Sequence, residues 1–412
     1  MELKPGYKQT EVGVIPEDWK LSTIGAYTNW MSGGTPSRSN DEFWHGSIPW
    51  ISGSTLKSFA ISTSDQFLSE SGVMAGSKMA PSGAVLLLVR GSALHNEIRA
   101  GMVVSPVAFN QDVKALIPLS GLDSRYLTFF ILAMESDLLK LVSLAGNSAG
   151  VLDTELIKNF KLLLPTKAEQ TAIANALSDA DALIQSLIRL IAKKRQIKQG
   201  AMQILLNPYE NGRLKAGWEV KKLGDVADIR SGGTPSTRIA EFWNGEILWC
   251  TPTDITALRG KKYLYSTSRK ITSKGLAVSS AEIIPENSIV MTSRATIGEC
   301  AINKLPVSTN QGFKNFVPYK DVDIEFLYYQ LLTQKREFIG LCSGSTFLEI
   351  SKNQLFNFEI QLPRDVSEQT RIATILSDMD AEITALEAKL AKYRHIKQGM
   401  MQNLLTGRIR LI

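Results

Sequence analysis

The sequence predicts an α/β (α+β) chain: two similar globular lobes joined by two long antiparallel helices that form a coiled coil, a pseudo-twofold internal repeat of about 199 residues. Three observations predict it. The hexapeptide SGGTPS stands at Ser32 to Ser37 and again at Ser231 to Ser236, an offset of 231 − 32 = 199. The rest of the chain follows the same offset: Trp19 with Trp218, Glu42-Phe43-Trp44 with Glu241-Phe242-Trp243, and Ile48-Pro49-Trp50 with Ile247-Leu248-Trp249. Each copy ends in an apolar seam of alternating three- and four-residue steps, closed by RQIKQGAMQILL (Arg195 to Leu206) or RHIKQGMMQNLL (Arg394 to Leu405).

The first lobe occupies residues 1–165, the second 208–364. The offset drifts to 204 between Arg90 and Arg294, 200 between Asn110-Gln111 and Asn310-Gln311, and 198 between Leu164-Pro165 and Leu362-Pro363, so length changes sit within the lobes. Apolar runs at Val85 to Val89, Met102 to Val104, Val113 to Leu119, Ser288 to Met291 and Phe358 to Leu362 predict strands. Helices are expected at about 124–145 and 323–340, with Tyr126, Phe129, Phe130, Phe326, Tyr328 and Tyr329 as core aromatics. Gly-Gly-Thr-Pro is turn chemistry, since glycine tolerates positive φ and proline presets the bend.

Residues 166–207 and 365–412 are the long helices. In the first, Leu177, Ala180, Ile184, Leu187, Ile191 and Lys194 form an a/d seam; in the second, Leu376, Met379, Ile383, Leu386, Leu390 and Tyr393 do so. Ile173 and Ile372 extend each seam, and Thr166 or Ser367 is the expected N-cap, ahead of Glu169 or Glu368. Such a helix is about 60 Å long, whereas a lobe of this size is only about 30 to 40 Å across. An overhanging apolar stripe needs a partner, and the economical one is the equivalent seam. The acidic Asp179, Asp181, Asp378 and Asp380 are expected on the outer face, solvated or facing a partner.

Composition is that of a folded globular domain, 44% hydrophobic and 21% charged. The N-terminus is too polar for a signal peptide and no run of eighteen apolar residues exists, which points to a cytoplasmic protein without a membrane partner. Cys250, Cys300 and Cys342 lie far apart without C-x-x-C spacing, and with three histidines in the chain a structural zinc site is not expected. A net charge of +6 favours a polyanionic partner. The sequence holds no G-x-x-x-x-G-K-[ST], G-x-G-x-x-G after a strand, or G-x-S-x-G. Asn207-Pro208-Tyr209 is an abbreviated likeness of the Asn-Pro-Pro-Tyr motif of adenine methyltransferases, but it has no counterpart in the other copy and reads as a helix-ending linker.

GVIPEDW near the N-terminus, the paired SGGTPS, Ile-Pro-Trp, Asn-Gln-Gly-Phe at Asn310 to Phe313, and each Leu-Pro…Glu-Gln approach to a helix ending Ile-Lys-Gln-Gly-x-Met-Gln-x-Leu-Leu together resemble specificity subunits of type I restriction-modification systems. The resemblance covers essentially the whole chain. It implies two target recognition domains, each reading one half of an asymmetric bipartite DNA site, with the helix pair as spacer. It also implies two adenine-methyltransferase subunits using S-adenosylmethionine and two motor-nuclease subunits using ATP and magnesium, with no catalytic residue, metal or cofactor in this chain. A coiled-coil adaptor binding only proteins is the alternative, but it needs no pair of unlike basic lobes.

Expected DNA contacts are Arg90 and Arg294, the pairs Gln111/Lys114 and Gln311/Lys314, and the loop residues Thr35, Ser37, Arg38, Thr234, Ser236 and Arg238. Features shared by lobes that read different sequences suit scaffold or phosphate contacts. Base readers are expected among unshared residues such as Lys57, His95, Arg99, Lys261, Lys262, Arg269 and Lys274.

Overall fold

Both copies build a five-stranded sheet with one strand order. The computed structural model describes residues 5–145, 149–342 and 348–411, and the chain divides into two units, residues 1–188 with 388–412 and residues 189–387. Each unit thus takes one lobe together with a helix segment from each copy.

The two main sheets of the first unit are built from β1 (Thr28–Ser32), β2 (Ile48–Ile51), β3 (Ala60–Ile61), β4 (Phe67–Leu68), β5 (Lys78–Ala80), β6 (Val85–Leu88), β7 (Ala100–Val103), β8 (Val107–Phe109) and β9 (Val113–Pro118). One sheet runs β1-β9-β6-β7-β3, a second β4-β2-β8-β5. Central β6 is buried along its whole length, which is why it reads as a continuous apolar run rather than an alternating one. Helix α1 (Ser124–Ala133) packs on this sheet and buries Tyr126, Phe129 and Phe130. Asp123 caps it, its carboxylate accepting from the Arg125 and Tyr126 N–H groups at 2.9 and 3.2 Å.

The long helix α2 spans Lys167–Leu205. The second unit repeats the plan with β10 (Ala227–Ser231), β11 (Trp243–Cys250), β12 (Tyr263–Leu264), β13 (Arg269–Ile271), β14 (Ser288–Thr292), β15 (Cys300–Asn303), β16 (Ser308–Thr309) and β17 (Phe313–Pro318), in sheets β10-β17-β14-β15-β12 and β13-β11-β16. Helix α3 (Ile324–Thr333) is capped by Asp323 in the same way. The closing helix α4 spans Val366–Leu404.

Two expectations about helices are corrected. The helix expected over 124–145 ends at Ala133; after a short turn at Glu135–Leu139, Val142–Ala145 is a strand paired with Ala149–Leu152. A ladder partner there outweighs helical continuation. The helix expected over 323–340 breaks at Gln334 into Ile324–Thr333 and Lys335–Leu341.

Helices α2 and α4 are each 39 residues, or about 58 Å at 1.5 Å per residue. Thr166 caps α2, its hydroxyl accepting from the Glu169 N–H at 3.3 Å. The expected cap Ser367 lies instead inside α4: Asp365 accepts from its N–H at 2.9 Å and its hydroxyl at 2.6 Å, and these bonds hold the Asp365 carboxyl below its ordinary pKa. A carboxylate before the first turn also suits the positive helix end better than a hydroxyl. The repeated Glu-Gln pair acquires a purpose here. Gln170 accepts from the Asp123 N–H at 2.8 Å and donates to the carbonyls of Gly121 and Pro165, strapping α2 to its lobe. Gln369 does the same for α4 through the Asp323 N–H and the Pro363 carbonyl, both at 2.9 Å.

Within each unit the helix segments run antiparallel. In the second unit Lys198 meets Asp380 at 2.5 Å and Lys194 meets Glu382 at 2.7 Å, so one helix descends in number as the other rises. In the first, Lys397 meets Asp181 at 2.6 Å, and Leu404 and Leu405 join Ile173 and Leu177 in the core. Leu177, Ile184, Leu187, Ile191, Leu376 and Ile383 are buried, while Leu386 and Leu390 are half-buried. Asp181 and Asp380 therefore face a helix lysine rather than the outside; Asp179 and Asp378 are exposed. Lys194, the last seam position of α2, donates to Glu382.

Candidate nucleic-acid interface

The repeated hexapeptide is held between backbone and tryptophan. A Cβ on Gly33 would sit 2.2 Å from the Phe109 carbonyl oxygen, and one on Gly232 1.9 Å from that of Asn310. Only glycine lets the loop lie this close to the strand end. In the first unit the Trp44 indole N–H donates to the Ser37 carbonyl at 3.0 Å and that of Trp50 to the Gly34 carbonyl at 3.2 Å. In the second, Trp243 donates to Ser236 at 3.1 Å and Trp249 to Gly233 at 3.0 Å. The rings meet edge to face, 5.1 Å and 85° for Trp44 and Trp50, 4.9 Å and 84° for Trp243 and Trp249. Thr35 donates to Gln111 at 2.6 Å, and Thr234 to Gln311 likewise. Repetition of SGGTPS, Glu-Phe-Trp, Ile-x-Trp and Asn-Gln is thus repetition of one folded corner.

Beside this corner in the first unit lies an open cleft of ≈ 840 Å³, and it gathers Thr35, Arg38, Lys57, Arg90, Arg99 and Gln111 from separate parts of the sequence. Glu97 and Asp112 line it too. Arg99 is occupied, bonding Glu97 at 2.5 Å and the Gly53 carbonyl at 2.7 Å. Arg90 is exposed at the rim. The Arg38 guanidinium stacks 3.8 Å above the Trp44 ring and donates to Gln66 at 2.9 Å. Lys114 is turned to the Ser32 hydroxyl at 2.6 Å, Ser37 contacts Ser39 at 2.8 Å, and His95 is exposed on a short 3-10 turn.

The second unit distributes its charges differently. Arg294 and Lys314 converge on Glu349, at 2.8 and 3.5 Å. Burial lowers the Lys314 pKa. Burial of Glu349 opposes ionisation, yet the bonds and charges of Arg294 and Lys314 together outweigh it and hold that carboxyl below its ordinary value. One carboxylate thus serves both cations, whereas Arg90 has no carboxylate partner among the described residues. Lys262 is buried and holds Glu325 at 2.8 Å and Ser377 at 2.7 Å, a strap from the lobe to α4 rather than a reader. Lys274 pairs with Glu241 at 2.5 Å, while Ser236, Arg238 and Lys261 are exposed. Arg269 lies 3.7 Å over the Trp243 ring.

Exposed guanidinium, ammonium, hydroxyl and amide groups converging on one cleft can bind phosphate oxygens and base edges. Among the described residues no group of three or more His, Cys, Asp and Glu side chains could hold a metal ion, and no helix is long and apolar enough to cross a membrane. What sequence reasoning missed is the tryptophan pair as a platform and Glu349 as the carboxylate shared by Arg294 and Lys314. The first had a signal, two tryptophans per copy at constant offset; the second had none.

Comparison with known proteins agrees with the repeat. Residues 16–199 and again 215–393 match the family described as the type I restriction modification DNA specificity domain. The chain is 42% identical over 173 residues to the type I restriction enzyme MjaIX specificity subunit of Methanocaldococcus jannaschii, covering 41% of this chain and 39% of that protein. It is 31% identical over 195 residues to the EcoR124I/EcoR124II specificity subunit of Escherichia coli, covering 47% and 46%. Each of these two matches thus spans less than half the length of the relative. In fold it is similar to the crystal structure of a type I restriction-modification S subunit from M. genitalium, with TM-score 0.59 and 15% identity over 98% of both chains. With most of its length accounted for by two matches to one domain, the chain belongs to the type I restriction modification DNA specificity domain family.

Proposed function

We propose that this chain is the DNA-recognition subunit of a cytoplasmic type I restriction-modification complex, each lobe reading one half of an asymmetric bipartite site. The observation that carries the reading is the pair of lobes that share one folded corner but surround it with different side chains, Arg90 exposed in one and Arg294 bound by Glu349 in the other. Shared parts position the duplex; unshared parts specify sequence. The helix pair α2 and α4 sets the distance between the half-sites. Its duplicated ends, Arg195 to Leu206 and Arg394 to Leu405, present two copies of one surface to two adenine-methyltransferase subunits. Those subunits supply S-adenosylmethionine chemistry and two motor-nuclease subunits use ATP and magnesium, so this chain contributes recognition without catalysis.

The test is to coexpress the chain with its methyltransferase subunit and map methylated adenines across the host genome. The expected motif is two unlike half-sites with a fixed spacer. Four residues inserted near Ile191 lengthen the helix by about 6 Å and should change the spacer or abolish modification. A palindromic motif, or the same spacer after insertion, would refute the reading.

A further inference from the structure

Each unit keeps a guanidinium in its tryptophan corner, but the two take it from different places in the chain. In the first, Arg38 comes from the loop directly after SGGTPS and lies 3.8 Å from the Trp44 centroid and 5.2 Å from that of Trp50. In the second, Arg269 comes from β13, 3.7 Å from Trp243 and 5.4 Å from Trp249. The strand register shows how. In β11–β13, Trp249 is opposite Arg269. In β2–β4, Ile48 is opposite Leu68 and Pro49 opposite Phe67, and the Trp50 N–H donates to the Gln66 carbonyl at 2.8 Å. Gln66 is therefore the strand counterpart of Arg269. It carries no charge, and its side-chain oxygen instead receives the Arg38 guanidinium at 2.9 Å. The loop arginine of the second copy, Arg238, is exposed. The corner has one place for a guanidinium, filled from the loop in one lobe and from the strand in the other.

We infer that Arg38 and Arg269 are equivalent phosphate anchors, one per lobe, whose indole platforms fix the guanidinium edge toward the DNA backbone. Resting on the proposed DNA-recognition function, this inference adds which residues bind without reading. A stacked guanidinium loses little further freedom on binding, and its planar edge matches a phosphate bidentately. A group in the same geometry in two lobes that read unlike sequences carries no sequence information, so its target is the feature common to all duplexes. Both side chains are exposed, and neither has a carboxylate partner among the described residues.

The test uses the full chain with its methyltransferase subunits and fluorescent duplexes, one cognate and one scrambled, titrated at several salt concentrations. R38M and R269M keep bulk over the indole while removing the charge. Each should weaken binding to both duplexes about tenfold and reduce the salt slope by about one. R38K, which keeps charge without a planar fork, should recover only part of the affinity, and the methylated motif should stay unchanged. A variant that melts like the wild type and keeps its affinity and salt slope overturns the anchor. So does a changed base preference in one half-site, which would make that arginine a reader. If the wild-type assembly binds no duplex, the proposed function falls and the anchor with it; wild-type binding with unaffected variants removes only the anchor.

Discussion

Gly33→Ala should cost the first unit about 3–5 kcal/mol. The added Cβ would lie 2.2 Å from the Phe109 carbonyl oxygen. Ordinary contact begins near 3.4 Å, so loop and strand must part by 3.4 − 2.2 = 1.2 Å. The gap opens where the Gly34 N–H donates to Phe109 at 2.9 Å and Trp50 donates to Gly34 at 3.2 Å. Two hydrogen bonds at about 1 kcal/mol each and overpacking strain of about 1–3 kcal/mol give the total. Because the chain has two units, a single unfolding midpoint is not a clean measure. The local readout is the tryptophan indole N–H spectrum: the Trp44 and Trp50 signals should shift while those of Trp243 and Trp249 stay. Gly200→Ala is the control, since its Cβ meets nothing within 4 Å inside α2, and helix propensity makes it stabilising by up to about 1 kcal/mol. Should G33A leave the indole signals and urea midpoint at wild-type values, the close-approach account of the hexapeptide is wrong.

Two further predictions concern single side chains. Arg410 holds Asp18 and the buried Glu169 at 2.8 Å, with Trp19 also donating to Glu169 at 2.9 Å, so R410A leaves a buried carboxylate without its cation and should destabilise the first unit by about 3 kcal/mol. The Arg410 bond lowers the Asp18 pKa below 3.8, so its contribution is full above that value and lost as pH falls through the folded one; R410A should flatten the acid limb of an unfolding-versus-pH curve, and a loss no larger than that of D18N would refute the clasp. In the second unit the Ser308 hydroxyl is buried without a partner among the described residues, where the first unit has Ala108, so S308A should raise the melting temperature of the second unit by roughly 2–4 °C if about 1 kcal/mol is recovered; a lowered melting temperature would show the hydroxyl to be satisfied.

The repeat, the long helices and the central strands were legible because each rests on periodicity or on identity between copies. The apolar run at Val85 announces a strand buried on both faces, and the seam from Leu177 announces a helix with a partner. Side-chain roles set by tertiary contact were not legible. Lys262 looks like any surface lysine until Glu325 and Ser377, 63 and 115 residues away, enclose it. Arg294 matched Arg90 by position, but Glu349 separates their behaviour. Arg269 matched nothing by position, since its counterpart in the fold is Gln66, and only strand register reveals that equivalence. The expected cap at Ser367 failed because a stronger acceptor stood two residues earlier.

What the two lobes keep and what they change divides along a physical line. Kept are contacts that hold backbone to backbone or lobe to helix: the tryptophan corner, the Thr35–Gln111 and Thr234–Gln311 bonds, and the straps from Gln170 and Gln369. Changed are the residues where the central strand approaches Arg90 or Arg294. Leu88 and Val89 stand in the first unit, Thr292 and Ser293 at the corresponding ladder positions in the second, and all four are buried. An apolar strand end supports an exposed Arg90, whereas the polar one runs beside the Arg294–Lys314–Glu349 cluster. On the proposed reading, then, the lobes differ in recognition because the strand end beneath the cleft differs, not because the corner does. Exchanging Arg90 for Arg294 would transplant nothing, since position and charge are the same; exchanging the strand ends together with Glu349 would move the electrostatics that distinguish one half-site reader from the other.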